Sequence, residues 1–412
     1  MPTYSSKQNI KSGVPLGGIG AGKLEITPYG TIDYITYQNN WTKPIENKTN
    51  KEKGRAQGIL GNHFAVYIRT PAATISKLLQ TEKVKDYNVI KNIHFEGWFP
   101  FAYLDYNEQN FPIEISLLAY SFFIPGDIKH SSLPAAVFEF ELKNKLPREV
   151  DIGLIFMVRN LVSKNSVGRL NVLRKEKKIT GIEFRQRKPD ADDVMAGEVF
   201  ISLPKQTGEI SFLSEWNMQK SNFYFEPNIR LYALDYFEKE GKLPNINPKK
   251  MVQSQSIELG GALAVKFKLK PNQTKKAPFV YSWYFPRNQL GHFYERSFRN
   301  SRDVAAYVHN NLDALRLKNS QFLNILNEMG LEEWFKDALM NNLYTLFSSS
   351  WFTRSGDFTM YEAPLICPLM GTLDVYFYSS VAVGLLFPTL DKKALLLFKK
   401  SIRKNGYIPH DI

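Results

Sequence analysis

From the N-terminus to about residue 285, hydrophobic residues fall into short runs of period two. Ile113 to Phe122 is one such run, bounded by Pro112 and Pro125. Ala136, Phe138, Phe140 and Leu142 alternate with Val137, Glu139 and Glu141, the pattern of a half-buried strand. After Lys145-Leu146-Pro147-Arg148 the alternation resumes at Ile152, Leu154, Phe156 and Val158. Two such runs across a short polar turn predict a hairpin. Further strands are predicted over Phe64–Arg69, Val199–Leu203, Ala262–Leu269 and Phe279–Phe285. Many short strands separated by Gly/Pro turns favour a sandwich or barrel.

Near Pro286 the period changes. Val304, Val308, Leu312, Leu315, Phe322 and Leu326 recur at helical spacing, which predicts an amphipathic helix over Asp303–Leu326. A second helix is predicted over Leu331–Trp351 and a third over Thr372–Phe387, stopped by Pro388. A fourth is expected over Asp391–Lys404, ended by Asn405-Gly406. The expected architecture is an all-β sandwich domain over residues 1–290, followed by an all-α segment over 291–412. Apolar faces such as Val375–Leu386 need partners. A small helical appendage docked on the sandwich is the alternative.

A length of 412 residues suggests roughly two or three domains. Net charge is +13, from 53 basic and 40 acidic residues. The basic residues are scattered, and the densest groups, Arg174 to Lys178 and Lys399 to Lys404, are short. No recognition motif accompanies them, so a solvated basic surface is expected and no nucleic-acid partner. Cys367 is the sole cysteine, which rules out a disulfide within the chain. The segment Met1–Ile10 lacks an apolar core, and no stretch is apolar enough to be a transmembrane segment. The default expectation is an intracellular, cytoplasmic protein.

Gly17-Gly18-Ile19-Gly20-Ala21-Gly22-Lys23 fits the spacing of a phosphate loop. Such a loop needs a Ser or Thr after the lysine and then a helix. Leu24 follows instead, and Leu24-Glu25-Ile26-Thr27 alternates like a strand. The dinucleotide fingerprint also fails, in spacing and in its missing helix. A close-packed glycine turn leading into a strand is the better reading.

Glu362 lies in a segment read as a loop between the second and third helices, near Trp351, Phe352, Phe358 and Tyr361. A carboxylate among aromatic rings suits a sugar site, though by pattern alone a solvated loop glutamate is the simpler reading. Asp374 follows a candidate N-cap, Thr372, by two residues. The helix dipole accounts for a negative charge there without invoking function. His410 is a lone histidine, by pattern structural or solvated. No His/Cys/Asp spacing suggests a metal site, and no serine or cysteine nucleophile motif is visible.

Several segments together resemble glycoside hydrolase family 116, which includes non-lysosomal glucosylceramidases and archaeal β-glucosidases. They are Gly13–Gly22, Gly97-Trp98-Phe99-Pro100, Ser131–Phe138 with Met157-Val158-Arg159-Asn160, Gly371–Ser379 and Ile408-Pro409-His410-Asp411, in family order. The Gly371–Ser379 segment is similar to the family's T-x-D-V-x-F-Y-x-S run, with one residue fewer before Ser379. The resemblance implies retaining hydrolysis of β-linked glycosides, with no metal or organic cofactor. It places the nucleophile at Glu362, twelve residues before Asp374 (374 − 362). Asp374 and His410 are implied as substrate-binding residues. It also implies that the helical segment is the incomplete start of an (α/α)6 catalytic barrel.

Ala363 stands where many members have glycine, Leu365–Met370 differs in length, and Tyr376 replaces a common histidine. These departures bear on substrate preference more than on the reaction. The family's acid/base is an Asp well over a hundred residues past the nucleophile, whereas the sequence runs fifty residues past Glu362 (412 − 362). The expectation is that this chain lacks the acid/base and most of the barrel, and that a separately encoded C-terminal barrel fragment is its partner. The alternative is a non-catalytic carbohydrate-binding or degenerate fragment.

Overall fold

The computed structural model describes residues 3–47, 58–106, 108, 111–218, 231–247 and 258–412. Two antiparallel sheets dominate the N-terminal part. The larger has nine strands, in the order Thr3–Ser5, His94–Trp98, Phe101–Asp105, Ile113–Tyr120, Ala135–Asn144, Thr274–Tyr284, Glu198–Pro204, Ile179–Gln186 and Arg169–Lys175. The smaller has five, in the order Glu209–Asn217, Leu259–Leu269, Val150–Arg159, His63–Arg69 and Thr74–Leu78. Their inner faces share one core, in which Phe64 stacks on Phe156 at 4.1 Å and meets Phe138 at 5.2 Å.

The expected hairpin through Lys145–Arg148 does not form. Ala135–Asn144 pairs with Ile113–Tyr120 and Thr274–Tyr284, while Val150–Arg159 pairs with His63–Arg69 and Leu259–Leu269. The turn crosses from one sheet to the other. Each run carries an apolar inner face, and facing them across the core buries both, which lateral pairing would not do.

The outer faces are covered by helices. Helix Tyr232–Glu240 packs Phe237 against Tyr67 of the smaller sheet. Helix Ser301–Glu328 lays Val304, Val308 and Leu315 on Tyr120, Val137, Phe200 and Val280 of the larger one. Its Asn300 N-cap accepts from the Asp303 N–H at 2.9 Å. Midway, buried Asn319 accepts from Phe123 N–H at 2.7 Å and donates to Ser121 O at 2.8 Å. Glu139 lies beneath this helix, matched by Lys276 at 2.8 Å and Arg316 at 2.9 Å. That contact explains a buried acidic residue on this strand, because a buried charge is tolerated when paired.

The C-terminal part is helical, with a correction to the all-α reading. Helix Glu333–Asn342 and the short turn Thr345–Ser348 stop well before Trp351. A three-stranded sheet follows, Ser350–Phe352, Phe358–Ala363 and Cys367–Met370. The aromatic residues of its first two strands favour the pleated state. Helices Leu373–Leu386 and Pro388–Ser401 come after it. Pro388 starts the last helix rather than stopping the one before, because a missing N–H is harmless in a first turn.

The glycine segment forms the tip of a small hairpin, Val14–Gly18 paired with Gly22–Ile26. Gly20 has φ +67°, and a Cβ there would sit 2.3 Å from the backbone N of Phe352. Its N–H donates to Ser350 Oγ at 2.8 Å, and Ile19 N–H donates to Ser131 O at 2.8 Å. The turn is fully buried between the sheet edge and strand Ser350–Phe352, and no helix follows it. It has neither the room nor the architecture to cradle a phosphate. Gly20→Ala should lower unfolding free energy by more than about 2 kcal/mol, from left-handed strain plus the backbone clash. Chemical denaturation read by Trp fluorescence checks this, and a variant within about 0.5 kcal/mol of wild type would contradict the seating.

Candidate active site

Strand Phe358–Ala363 is the middle strand of its sheet, so Glu362 lies on a strand and not in a loop. Tyr361 N–H donates to Ser349 O at 2.7 Å, and Gly371 N–H to Met360 O at 2.9 Å. Ala363 registers with Cys367. Side chains alternate across a strand. Tyr361 packs with Trp41 and Trp351, while Glu362 faces the start of helix Leu373–Leu386.

Behind the strand sits an aromatic stack. Trp351 lies 4.6 Å from Trp41 and 5.2 Å from the nearly parallel His292 ring, and its Nε1–H donates to Gly291 O at 3.0 Å. His292 is fully buried, with Nδ1 on Gly20 O at 2.9 Å and Nε2 on the Asn39 amide at 2.6 Å. The stack therefore ties the glycine turn to the strand that carries Glu362. Burial also pushes the Tyr361 phenol up to about 12.

On the other side, Thr372 occupies the N-cap position of helix Leu373–Leu386, as its sequence position suggests, but makes no capping bond. Its hydroxyl donates to Glu362 Oε2 at 3.1 Å instead. An N-cap bond is typically worth about 1 kcal/mol, so the helix forgoes that contribution. Partial loss of solvent and the neighbouring Glu362 carboxylate push the Cys367 thiol up. Asp374 stands in the first turn of the helix, and His410 Nε2 lies 3.6 Å from its Oδ1. Nδ1 of the same ring is 3.5 Å from Asp411 Oδ1. Leu373 N–H donates to His410 O at 2.8 Å, which fixes the two segments side by side. The Asp374 and His410 side chains are 71% and 58% exposed, open to a ligand from solvent.

The structure thus places the three predicted residues around one helix start: Asp374 and His410 in contact, Glu362 joined through Thr372. Thr372 and Cys367 were not read as site residues from sequence. A threonine before an acidic first turn signals a cap, and a single cysteine raises only the disulfide question. A cavity of about 730 Å³, lined by Lys23, Glu25, Tyr34, Trp41, Tyr344 and Ile366 among others, lies elsewhere. Ala363 borders it and Glu362 does not, so the strand separates the cavity from the carboxylate.

The sequence matches the family described as beta-glucosidase 2, glycosyl-hydrolase family 116 N-term, over residues 13–315. The chain belongs to glycosyl-hydrolase family 116. Among solved structures it is similar to a polysaccharide lyase, at 11% identity and TM-score 0.35, covering 64% of this chain and 32% of that one. It is also similar to a protein described as a kojibiose phosphorylase from the human microbiome. There the identity is 12% and the TM-score 0.37, covering 83% of this chain and 39% of that one. At those scores neither likeness adds to the fold or the function. The chain spans about a third of the length of the first and two fifths of the second. Among the described residues no helix is long and apolar enough to cross a membrane.

His63 and His292 are buried and His309 is half-buried, and loss of solvent lowers each to about 4. An unfolded histidine titrates near 6.5, so the unfolded chain takes up protons first as pH falls. Stability should drop between about pH 6.5 and pH 4, by roughly 3 kcal/mol for each fully buried ring. Imidazole NMR should show three rings still neutral at about pH 5, and titration of all six histidines near pH 6.5 would contradict this.

Proposed function

We propose that this family 116 member is a retaining β-glycosidase of the β-glucosidase or glucosylceramidase type. Glu362 is its nucleophile, and Asp374 and His410 bind the sugar. The observation that carries the reading is the grouping at one helix start: a carboxylate fixed by the Thr372 hydroxyl at 3.1 Å beside an exposed Asp374–His410 pair. Aspartate and histidine together accept from and donate to hydroxyl groups, as sugar recognition requires.

In the reaction, Glu362 attacks the anomeric carbon as the glycosidic C–O bond breaks. A second carboxyl group about 5 Å away protonates the departing oxygen. That group then deprotonates a water molecule, which attacks the same carbon and releases the sugar and the free carboxylate. The family resemblance assigns the second carboxyl to an Asp far downstream of Glu362. No metal or organic cofactor takes part. Helices Leu373–Leu386 and Pro388–Ser401 are read as early members of an (α/α)6 ring. Phe377, Tyr378, Val381 and Leu385 are 71–80% exposed. Further ring helices, on this chain or on a separate one, would cover them.

The test uses the full-length protein and an aryl β-glucoside. Wild type should release sugar with retained configuration, read by proton NMR. Glu362→Gln should lose more than about a thousandfold in kcat, and Glu362→Gly with azide should yield the α-glycosyl azide. Inverted product, or near-normal turnover by Glu362→Gln, would sink the assignment. Asp374→Asn should mainly raise KM, consistent with loss of a hydrogen bond to a neutral hydroxyl, about 1 kcal/mol.

A further inference from the structure

Thr372 is buried at 2% exposure and stands at a helix N-cap. In that position a threonine hydroxyl ordinarily accepts from a backbone N–H of the first turn. Here it does not, and its O–H points at Glu362 Oε2 instead, at 3.1 Å. The carboxylate therefore has a side-chain donor on one flank, the hydroxyl from the helix start.

We infer that Thr372 is a positioning residue that holds Glu362 Oε2 so that Oε1 is the oxygen presented to the anomeric carbon. This deepens the glycosidase reading and rests on it. A carboxylate nucleophile needs one oxygen free and the ring of possible orientations narrowed. A donor on Oε2 does both. In the first step a bond forms between Oε1 and the anomeric carbon while the glycosidic C–O bond breaks. The leaving oxygen takes its proton from the acid carboxyl. In the resulting ester Oε2 is the carbonyl oxygen, and the Thr372 O–H still donates to it. Water then gives a proton to the acid carboxylate and attacks the anomeric carbon, the ester C–O bond breaks, and Oε1 returns with its electron pair.

The experiment measures how fast a 2-deoxy-2-fluoro-β-glucoside with a very good leaving group labels the full-length protein, by intact mass. Thr372→Val keeps the shape and removes the hydroxyl. It should slow labelling roughly tenfold to a hundredfold, the range for a hydrogen bond to a charged group. Thr372→Ser should restore most of the rate. If the valine variant does not fold, Thr372→Ala makes the same comparison with only a small void. Labelling of a hydroxyl-free variant at the wild-type rate overturns the positioning role and leaves Glu362 as nucleophile. A slow rate shared by the valine and serine variants also overturns it, because the side chain would then be only structural. Failure to label Glu362 in wild type overturns the glycosidase reading and this inference with it.

Discussion

The contact on which the site depends is the close approach of the Gly20 turn to strand Ser350–Phe352. No side chain fits between them, since a Cβ on Gly20 would lie 2.3 Å from the Phe352 nitrogen. The Gly20 N–H is satisfied by Ser350 Oγ and its carbonyl by His292. Both backbone groups of one buried residue are thus used to hold another segment. An unpaired buried backbone group costs about as much as a lost hydrogen bond, so neither can be released cheaply. Strand Ser350–Phe352 in turn pairs with Phe358–Ala363, which carries Glu362. The position of the carboxylate is therefore set by a turn more than three hundred residues away in sequence (350 − 20 = 330).

Around this seat the N-terminal sheets and the C-terminal part share a second core. Ile19, Trp98, Phe99 and Phe123 from the sheet side meet Phe347, Phe352, Phe358, Phe387 and Leu390. Phe99 lies edge-on to Phe347 at 4.7 Å, and Phe123 to Phe387 at 5.2 Å. Burying a large side chain contributes roughly 1.5–3 kcal/mol, so this interface acts as an extension of the core and not as a loose docking. The sheets are a foundation for the site rather than a separate module. Helix Leu373–Leu386 differs, because one of its faces is buried on that core while the opposite face remains open.

Much of this was legible in the chain. Alternation marked the strands and their inner faces, because a sheet with one face in a core imposes period two. Long-range partnering was not legible: the runs on either side of Lys145–Arg148 look like a hairpin until both apolar faces must be buried at once. Phe358–Ala363 was missed as a strand because six residues between helical stretches give too short a pattern to separate from a loop. Asp374 and His410 were found through a family resemblance, and nothing in their own spacing says that they meet. Thr372 was seen, with the wrong partner. An N-cap threonine and a threonine donating to a neighbouring carboxylate look alike in sequence, and only the rotamer distinguishes them.

The central claim, that the glycine turn seats the strand bearing Glu362, is tested most directly by native-state hydrogen exchange on Ser350→Ala. This variant removes the hydroxyl that accepts from Gly20 N–H while leaving the backbone contact unstrained. The expected result is faster exchange at the amides of Ser350–Phe352 and Phe358–Ala363, with the strands Ala135–Asn144 and Val150–Arg159 unchanged. Unaltered protection across that small sheet would contradict the claim and show that the strand holds its place without the turn.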